Sequence, residues 1–197
     1  LHRRIFACKA QQALHLPHAI FRPFRLRSWG LCIFENRRRK ENVKKRKETN
    51  EMKIAMAADH GGYELKNTLK EYLEAKGHSI TDLGTNSSES VDYPDYAALC
   101  CKEITGGHAD FGILVCGTGV GISIAANKIC GIRCGMCYSP EVAALVKQHN
   151  NANVIALGGR TTDPETAKKI VDAYMSADFE GGRHTRRIDK ITELEKG

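Results

Sequence analysis

Cys116 is the residue of this sequence whose type and surroundings most favour chemistry. It follows the apolar run 111–115, and glycines alternate with other residues over 117–121. The run predicts a buried strand, and residues 122–127 predict a helix. A strand, a glycine-rich turn and a helix N-terminus present free backbone N–H groups to an anion. Such groups would also stabilise a thiolate, so we interpret Cys116 as a general base or a nucleophile.

The glycine pattern by itself leaves a second interpretation open. The loop reads G-x-G-x-G, whereas the dinucleotide-binding fingerprint reads G-x-G-x-x-G. A tight strand-to-helix turn with a buried structural cysteine would give the same pattern, because free cysteines are commonly buried. Composition does not separate the two interpretations.

Other polar residues follow predicted strands and helices. Asp59 and His60 follow the first strand, Arg160 follows the fifth, and His149 ends a helix. A lone histidine at a helix end often only complements the helix dipole. The cysteines at 130, 134 and 137 include a C-x-x-C, but no second pair follows. Structural zinc sites need four ligands, so the sequence predicts no metal site.

Strands alternate with helices over residues 52–197, which predicts an α/β fold. Short buried runs joined by helices are typical of a parallel sheet covered on both faces. We predict a three-layer α/β/α architecture with a five-stranded parallel Rossmann-like sheet. The predicted strands are 53–58, 78–83, 111–115, 132–137 and 153–157. The predicted helices cover about 65–73, 96–104, 122–127, 139–149 and 162–177, with a last helix after the basic segment 181–187.

Length and composition limit the class of protein. The chain has 197 residues, of which 42% are hydrophobic and 27% charged, as in a soluble globular protein. No apolar run approaches the roughly 20 residues that span a bilayer, so we expect no membrane partner. The eight cysteines are not spaced like a secreted disulfide framework, which favours a reducing compartment. We therefore expect a cytoplasmic location.

Basic residues are concentrated near the start of the chain. Residues 1–50 hold 14 lysines and arginines and 3 acidic residues, and the remainder holds 16 and 20. The main domain is therefore mildly acidic, which argues against nucleic-acid binding. We divide the chain into a basic, unstructured extension, 1–51, and a domain, 52–197, that starts at the first methionine. A transit peptide, a basic arm, or sequence upstream of the true start would each explain the extension.

Seven motifs in order resemble one family. Together they are similar to ribose-5-phosphate isomerase type B, in the superfamily that includes the galactose-6-phosphate isomerase subunits. The resemblance covers residues 52–197 and leaves 1–51 outside it. The motifs are Asp59-His60-Gly61, Asp92-Tyr93-Pro94, Cys116 to Gly121, Ala125 to Lys128, His149-Asn150, Gly158-Gly159-Arg160 and Gly181 to Arg187.

The resemblance implies a cofactor-free and metal-free aldose–ketose isomerase of ribose 5-phosphate. Cys116 would move a proton between carbons 1 and 2, and His149 would help to open the sugar ring. Some relatives use a glutamate later in the loop, where this chain has Ile122, so the sequence fits the cysteine branch. The backbone N–H groups of the loop would hold the enediolate oxygen. The residues that carry these groups are Gly117, Thr118, Gly119, Val120 and Gly121.

The same resemblance implies the remaining substrate contacts. Asp59, His60 and Asn150 would contact sugar hydroxyls, and Arg160 would contact the ligand. Arg183 and Arg187 would bind the phosphate, a role that suits the guanidinium group. The family also implies a homodimer or a dimer of dimers, with sites completed across the subunit interface.

Three other functions remain open at this stage. A six-carbon substrate, allose or galactose 6-phosphate, would fit a similar site. A nucleotide-binding protein would use the glycine loop, although the chain lacks a clear ribose-binding acid about 20 residues further on. A non-catalytic sugar-phosphate-binding protein would share the fold, but the presence of both Cys116 and His149 argues against it.

Overall fold

The computed structural model describes residues 51–195, which form one compact unit. Five strands and six helices alternate along this part of the chain. The strands are β1 (Lys53–Ala58), β2 (Ser79–Asp82), β3 (Phe111–Cys116), β4 (Cys134–Met136) and β5 (Val154–Gly158). The helices are α1 (Tyr63–Ala75), α2 (Tyr93–Thr105), α3 (Val120–Ala126), α4 (Pro140–Asn150), α5 (Pro164–Met175) and α6 (Arg183–Leu194). The expected extension, apart from Glu51, lies outside the described residues.

The strands form one parallel sheet in the order β2-β1-β3-β5-β4. The strand order reverses between β1 and β3, and folds of this class bind ligands beyond the carboxyl ends of strands near such a point. In the register of β3 and β5, Cys116 lies opposite Gly158, so both residues are at that carboxyl edge.

Two apolar cores cover the two faces of the sheet. One contains α1 and α5 with part of α4, and its buried side chains include Leu69 and Ile170. The other contains α2 and α3, and its buried side chains include Cys100 and Ile122. The strands β1, β3 and β5 contribute to both cores, which explains their nearly continuous apolar sequences. The predicted three-layer α/β/α fold with five parallel strands is confirmed.

Side-chain caps begin two helices where the sequence predicts it. The Ser139 hydroxyl accepts a hydrogen bond from the Val142 N–H at 3.3 Å, at the start of α4. The Asp163 carboxylate accepts one from the Thr166 N–H at 3.0 Å, at the start of α5. A proline follows each cap, and its missing N–H costs nothing at that position. Local sequence therefore fixes these helix starts.

Two elements differ from the sequence prediction. β4 covers only Cys134–Met136, because its partner strand β5 begins at Val154, opposite Cys134. On the other edge of β4, the Asn127 side-chain amide pairs with the Cys134 backbone at 2.8 Å in both directions. This side chain takes the place of a neighbouring strand. The last helix begins at Arg183 rather than after 187, so the basic segment lies within its first turns. Within residues 51–195, no helix is both long and apolar enough to cross a membrane.

Candidate active site

Cys116 is held at the carboxyl end of β3 with its sulfur toward the glycine loop. The Gly119 N–H donates to the Cys116 Sγ at 3.1 Å. The Cys116 carbonyl accepts from the Gly159 N–H at 2.7 Å, and only 4% of the residue is exposed. A backbone donor at this distance fixes the direction in which the sulfur points. A sulfur in this fixed position can therefore accept a proton from a ligand in the loop.

The loop keeps its shape because glycine is required at its centre. Gly119 has a φ of 80°, in the left-handed region that side chains disfavour. A Cβ atom there would be 2.9 Å from the carbonyl carbon of Leu157. The loop is therefore pressed against the end of β5, and α3 begins directly after it at Val120. Thr118 and Gly121 complete the loop, and the Thr118 Oγ1 accepts from the Val120 N–H at 3.4 Å.

Arg160 lies beside the same loop. Its backbone N–H donates to the Gly117 carbonyl at 3.0 Å. A Cβ added to Gly117 would be 3.6 Å from the Arg160 guanidinium carbon, so the guanidinium group lies over this glycine. Arg160 is exposed, and its guanidinium group is free to contact an anion in the loop.

Asp59 and His60 adjoin the loop from β1. The Asp59 N–H donates to the Val115 carbonyl at 3.1 Å, and the buried Asp59 carboxylate accepts from the Gly62 N–H at 3.1 Å. The His60 Nδ1 accepts from the Val91 N–H at 3.3 Å. A neutral His60 therefore carries its proton on Nε2, where it can donate to a ligand hydroxyl or phosphate.

A buried lysine supports this edge of the sheet, and the sequence analysis missed it. The Lys66 Nζ contacts the Asp82 carboxylate at 2.5 Å and the Thr85 carbonyl at 3.0 Å. The Thr85 N–H in turn donates to the Ala58 carbonyl at 2.8 Å, next to Asp59. Burial alone would raise the pKa of Asp82, but hydrogen bonds from Lys66 and neighbouring donors lower it. One signal was present, since Lys66 shares a helical face with Leu69 and Leu73 at i+3 and i+7.

The other predicted residues lie at the opposite edge of the sheet. His149 and Asn150 end α4, and β5 begins at Val154. Since Cys116 is level with Gly158 at the far end of β5, about 13 Å of strand separates the two groups. One chain therefore brings Cys116 together with Asp59, His60 and Arg160, and it places His149 and Asn150 elsewhere.

His149 lies in a cluster with residues that precede and begin α6. The His149 and His184 rings stack with centroids 4.3 Å apart and planes 3° from parallel. The Glu180 Oε2 is 3.7 Å from the His149 Nε2 and 3.6 Å from the His184 Nε2. Arg183 and Arg187 lie exposed in the first turns of α6 beside this cluster. Burial lowers the pKa of His184, and His149, Arg183 and Arg187 lower it further.

The cluster does not fit a metal ion, although its residue types could ligate one. His149, Glu180 and His184 are the one such group within residues 51–195. A metal lies in the plane of each imidazole that binds it, and parallel stacked rings cannot share an ion in both planes. The Arg183 Nε–H also donates to the His184 Nε2 at 3.4 Å, so this lone pair is already used.

The two cysteines of the C-x-x-C, Cys134 and Cys137, are packing residues. Burial raises the pKa of the Cys137 thiol to about 12. Burial raises the pKa of Cys134 as well, and the nearby Cys101 and Cys137 raise it further. Within residues 51–195, neither cysteine belongs to a group of possible metal ligands, and both side chains pack in the apolar cores.

The chain is similar to a family of sugar-phosphate isomerases. The family model described as Ribose/Galactose Isomerase matches residues 54–191. Ribose-5-phosphate isomerase B of Escherichia coli is 50% identical over 144 residues, which are 73% of this chain and 97% of that protein. A crystal structure of a ribose 5-phosphate isomerase from Thermotoga maritima is 54% identical, with a TM-score of 0.71, over 72% of this chain and 98% of its own.

A second solved structure is reported with a ligand. Ribose-5-phosphate isomerase B from Mycoplasma genitalium, with bound ribulose-5-phosphate, is 46% identical to this chain. The TM-score is 0.70, and the match covers 73% of this chain and 96% of that one. The similarity therefore spans nearly the whole length of these relatives.

Proposed function

The chain belongs to the ribose/galactose isomerase family, and we propose that it interconverts ribose 5-phosphate and ribulose 5-phosphate. The hydrogen bond from the Gly119 N–H to the Cys116 Sγ carries this proposal. This contact supports Cys116 as the base beside the backbone N–H groups of the loop, and an aldose–ketose isomerase needs a base next to such donors. Relatives named for this reaction support the choice of substrate.

The proposed chemistry passes through an enediolate. The Cys116 thiolate removes the proton from carbon 2 of the open-chain aldose, and the electrons move to the carbonyl oxygen at carbon 1. N–H groups of the loop 117–121 stabilise the resulting negative charge. The hydroxyl proton on oxygen 2 moves to oxygen 1, and the Cys116 thiol then returns a proton to carbon 1 as the carbonyl forms at carbon 2, which gives the ketose. This sequence of steps needs no metal or cofactor, because the thiolate carries the proton and the backbone stabilises the charge.

The remaining residues bind and open the sugar. We assign His149 to ring opening, since an imidazole is an effective acid near neutral pH. Asp59, His60 and Asn150 are assigned to sugar hydroxyls. The exposed guanidinium groups of Arg183 and Arg187 are assigned to the phosphate. Arg160 is assigned to the ligand as well, so that three guanidinium groups would surround the anion.

We further propose that two copies of the chain complete each site. His149 and Cys116 lie at opposite edges of the sheet in one chain, so one copy would supply the Cys116 edge and its partner the His149 edge. Apolar surface adjoins the His149 edge, since Ile191 and Leu194 on α6 are 41% and 81% exposed. A homodimer would cover such surface, and a dimer of dimers would retain the same pairing.

We propose that residues 52–197 carry this activity in the cytoplasm, and that 1–51 form a separate extension. The described cysteines are all free, as expected in a reducing compartment.

A coupled assay tests the proposed function. The purified full chain and the 52–197 fragment would be given ribose 5-phosphate, allose 6-phosphate and galactose 6-phosphate at equal concentrations. We expect the highest kcat/KM with ribose 5-phosphate for both proteins. Preference for a six-carbon phosphate would reassign the substrate. If none of the three sugar phosphates is converted and NAD binds in equilibrium dialysis, the result would favour a nucleotide-binding protein.

A further inference from the structure

Glu180 is held against His149 by its own backbone. Its N–H donates to the carbonyl of Gln148 at 3.0 Å, in the last turn of α4. The Glu180 carboxylate is 3.7 Å from the His149 Nε2, at ion-pair distance. The side chain is half exposed, while that of His149 is 35% exposed. Burial therefore does not explain the proximity of the two side chains.

His184 limits which groups can donate a hydrogen bond to the Glu180 carboxylate. Because arginine only donates, the contact from the Arg183 Nε–H requires the His184 Nε2 to accept. A neutral His184 then carries its proton on Nδ1, and its Nε2 offers no proton to Glu180. The remaining donor in this cluster is the Nε2–H of His149. The parallel stacking of His184 also fixes the plane of the His149 ring.

We propose that Glu180 is a positioning residue that binds the Nε2–H of His149, so that the His149 Nδ1 exchanges the proton in ring opening. His184 acts as the stacked support that keeps this orientation. This inference rests on the proposed function of the chain. Carboxylates that orient a histidine in this manner fix both the tautomer and the direction of the free nitrogen.

The step assigned to the His149 Nδ1 balances in protons and electrons. The doubly protonated ring of His149 gives its Nδ1–H proton to the ring oxygen of the furanose as the bond between this oxygen and carbon 1 breaks, which leaves a neutral His149 protonated at Nε2. The hydroxyl on carbon 1 loses its proton to solvent and becomes the aldehyde. His149 regains a proton from solvent, and Glu180 remains a carboxylate throughout.

The two sugar phosphates separate ring opening from proton abstraction. Ribose 5-phosphate closes to a furanose through its carbon-4 hydroxyl. Ribulose 5-phosphate would need its carbon-5 oxygen, which carries the phosphate, so it stays open. Exchange of deuterium from D₂O into carbon 1 of ribulose 5-phosphate therefore needs the base alone, whereas conversion of ribose 5-phosphate also needs the ring-opening acid.

The test compares Glu180→Gln with Glu193→Gln, a control at an exposed position of α6. In Glu180→Gln, we expect conversion of ribose 5-phosphate to fall about 10-fold, as is typical for loss of an orienting carboxylate. Deuterium exchange into ribulose 5-phosphate should stay within about twofold of wild type, and Glu180→Asp should recover part of the loss. Equal losses in both reactions, or no loss in either, would overturn the proposal.

A second measurement does not depend on activity. A long-range ¹H–¹⁵N NMR spectrum of the full chain reports which nitrogen of His149 is protonated. We expect protonation at Nε2 in wild type and a changed signal in Glu180→Gln. A neutral His149 protonated at Nδ1 in wild type would overturn the inference, even if the chain proved to act on another substrate.

Discussion

The backbone N–H of Gly119 donates a hydrogen bond to the Sγ atom of Cys116 at 3.1 Å. This contact joins the last residue of β3 to the N-cap of α3. The fold itself directs this donor at the sulfur, so the donor needs no reorganisation when charge develops there. The glycine loop therefore positions the sulfur, in addition to the ligand-binding role proposed for it.

Substitution of Gly119 should distinguish the loss of activity caused by a displaced loop from the loss of stability caused by any left-handed alanine. In Gly119→Ala, the new Cβ would be 2.9 Å from the Leu157 carbonyl carbon, so the loop must shift away from the end of β5 and the Gly119 N–H must move with it. We expect kcat/KM to fall at least about 10-fold, because misplacement by about 1 Å is costly in catalysis. Gly107→Ala is the matched control, since Gly107 also has a positive φ of 69° but no neighbour within 4 Å.

The control should lose only stability. A left-handed alanine costs about 1–2 kcal/mol, which thermal unfolding would detect in both variants. Normal kcat/KM in Gly119→Ala would show that the Gly119 contact with Cys116 is unimportant for turnover.

Complementation between inactive variants should reveal a site built from two chains. Cys116→Ser and His149→Ala would each be inactive alone but active when co-expressed. In each mixed dimer one site would have both native residues, and half of random pairs are mixed, so we expect about a quarter of wild-type activity. Co-expression that stays as inactive as the single variants would place both residues in one chain's site.

The arginines of α6 should act in substrate binding. Arg183→Ala and Arg187→Ala each remove a charged donor, worth about 2 kcal/mol, and should raise KM about 30-fold. Arg186→Ala is the control, because Arg186 is exposed on the same helix and has no assigned role. Steady-state kinetics would measure all three, and an equal rise of KM in Arg186→Ala would point to general electrostatics.

The two lysines that contact Asp82 should differ in their effect on stability. The Lys66 side chain is 1% exposed and that of Lys70 is 34% exposed. Lys66→Met removes a buried partner of the carboxylate and should cost about 3 kcal/mol. Lys70→Met removes a more exposed pair and should cost less than about 1 kcal/mol. Urea unfolding measures both, and equal costs would contradict the structural role assigned to Lys66.

The sequence predicted the elements that depend on local pattern. The apolar runs of β1, β3 and β5 identify buried parallel strands, and Ser139 and Asp163 begin their helices as predicted. Cys116 could be identified because it ends such a run directly before the glycines. These patterns involve residues that are close in sequence, so they identify the elements without knowledge of the tertiary structure.

The remaining features depend on contacts between distant segments. The side chain of Asn127 pairs with the outer edge of β4, and the buried Lys66 ammonium group is bound by Asp82 and the Thr85 carbonyl. The division of the site residues between two edges follows from the direction of α4 relative to β5. Motif order along the chain carries no information on this division. Glu180 was missed because its role depends on the stacked histidines.

The transfer of deuterium from D₂O into carbon 2 of ribose 5-phosphate tests Cys116 as the base most directly. Serine nearly conserves the volume of Cys116 but does not ionise near neutral pH. In Cys116→Ser we expect incorporation to slow at least about 100-fold, with unchanged substrate binding and folding. Cys130→Ser, at an exposed cysteine, should exchange like wild type. Incorporation at the wild-type rate in Cys116→Ser would contradict the mechanism and remove Cys116 from the proton transfer.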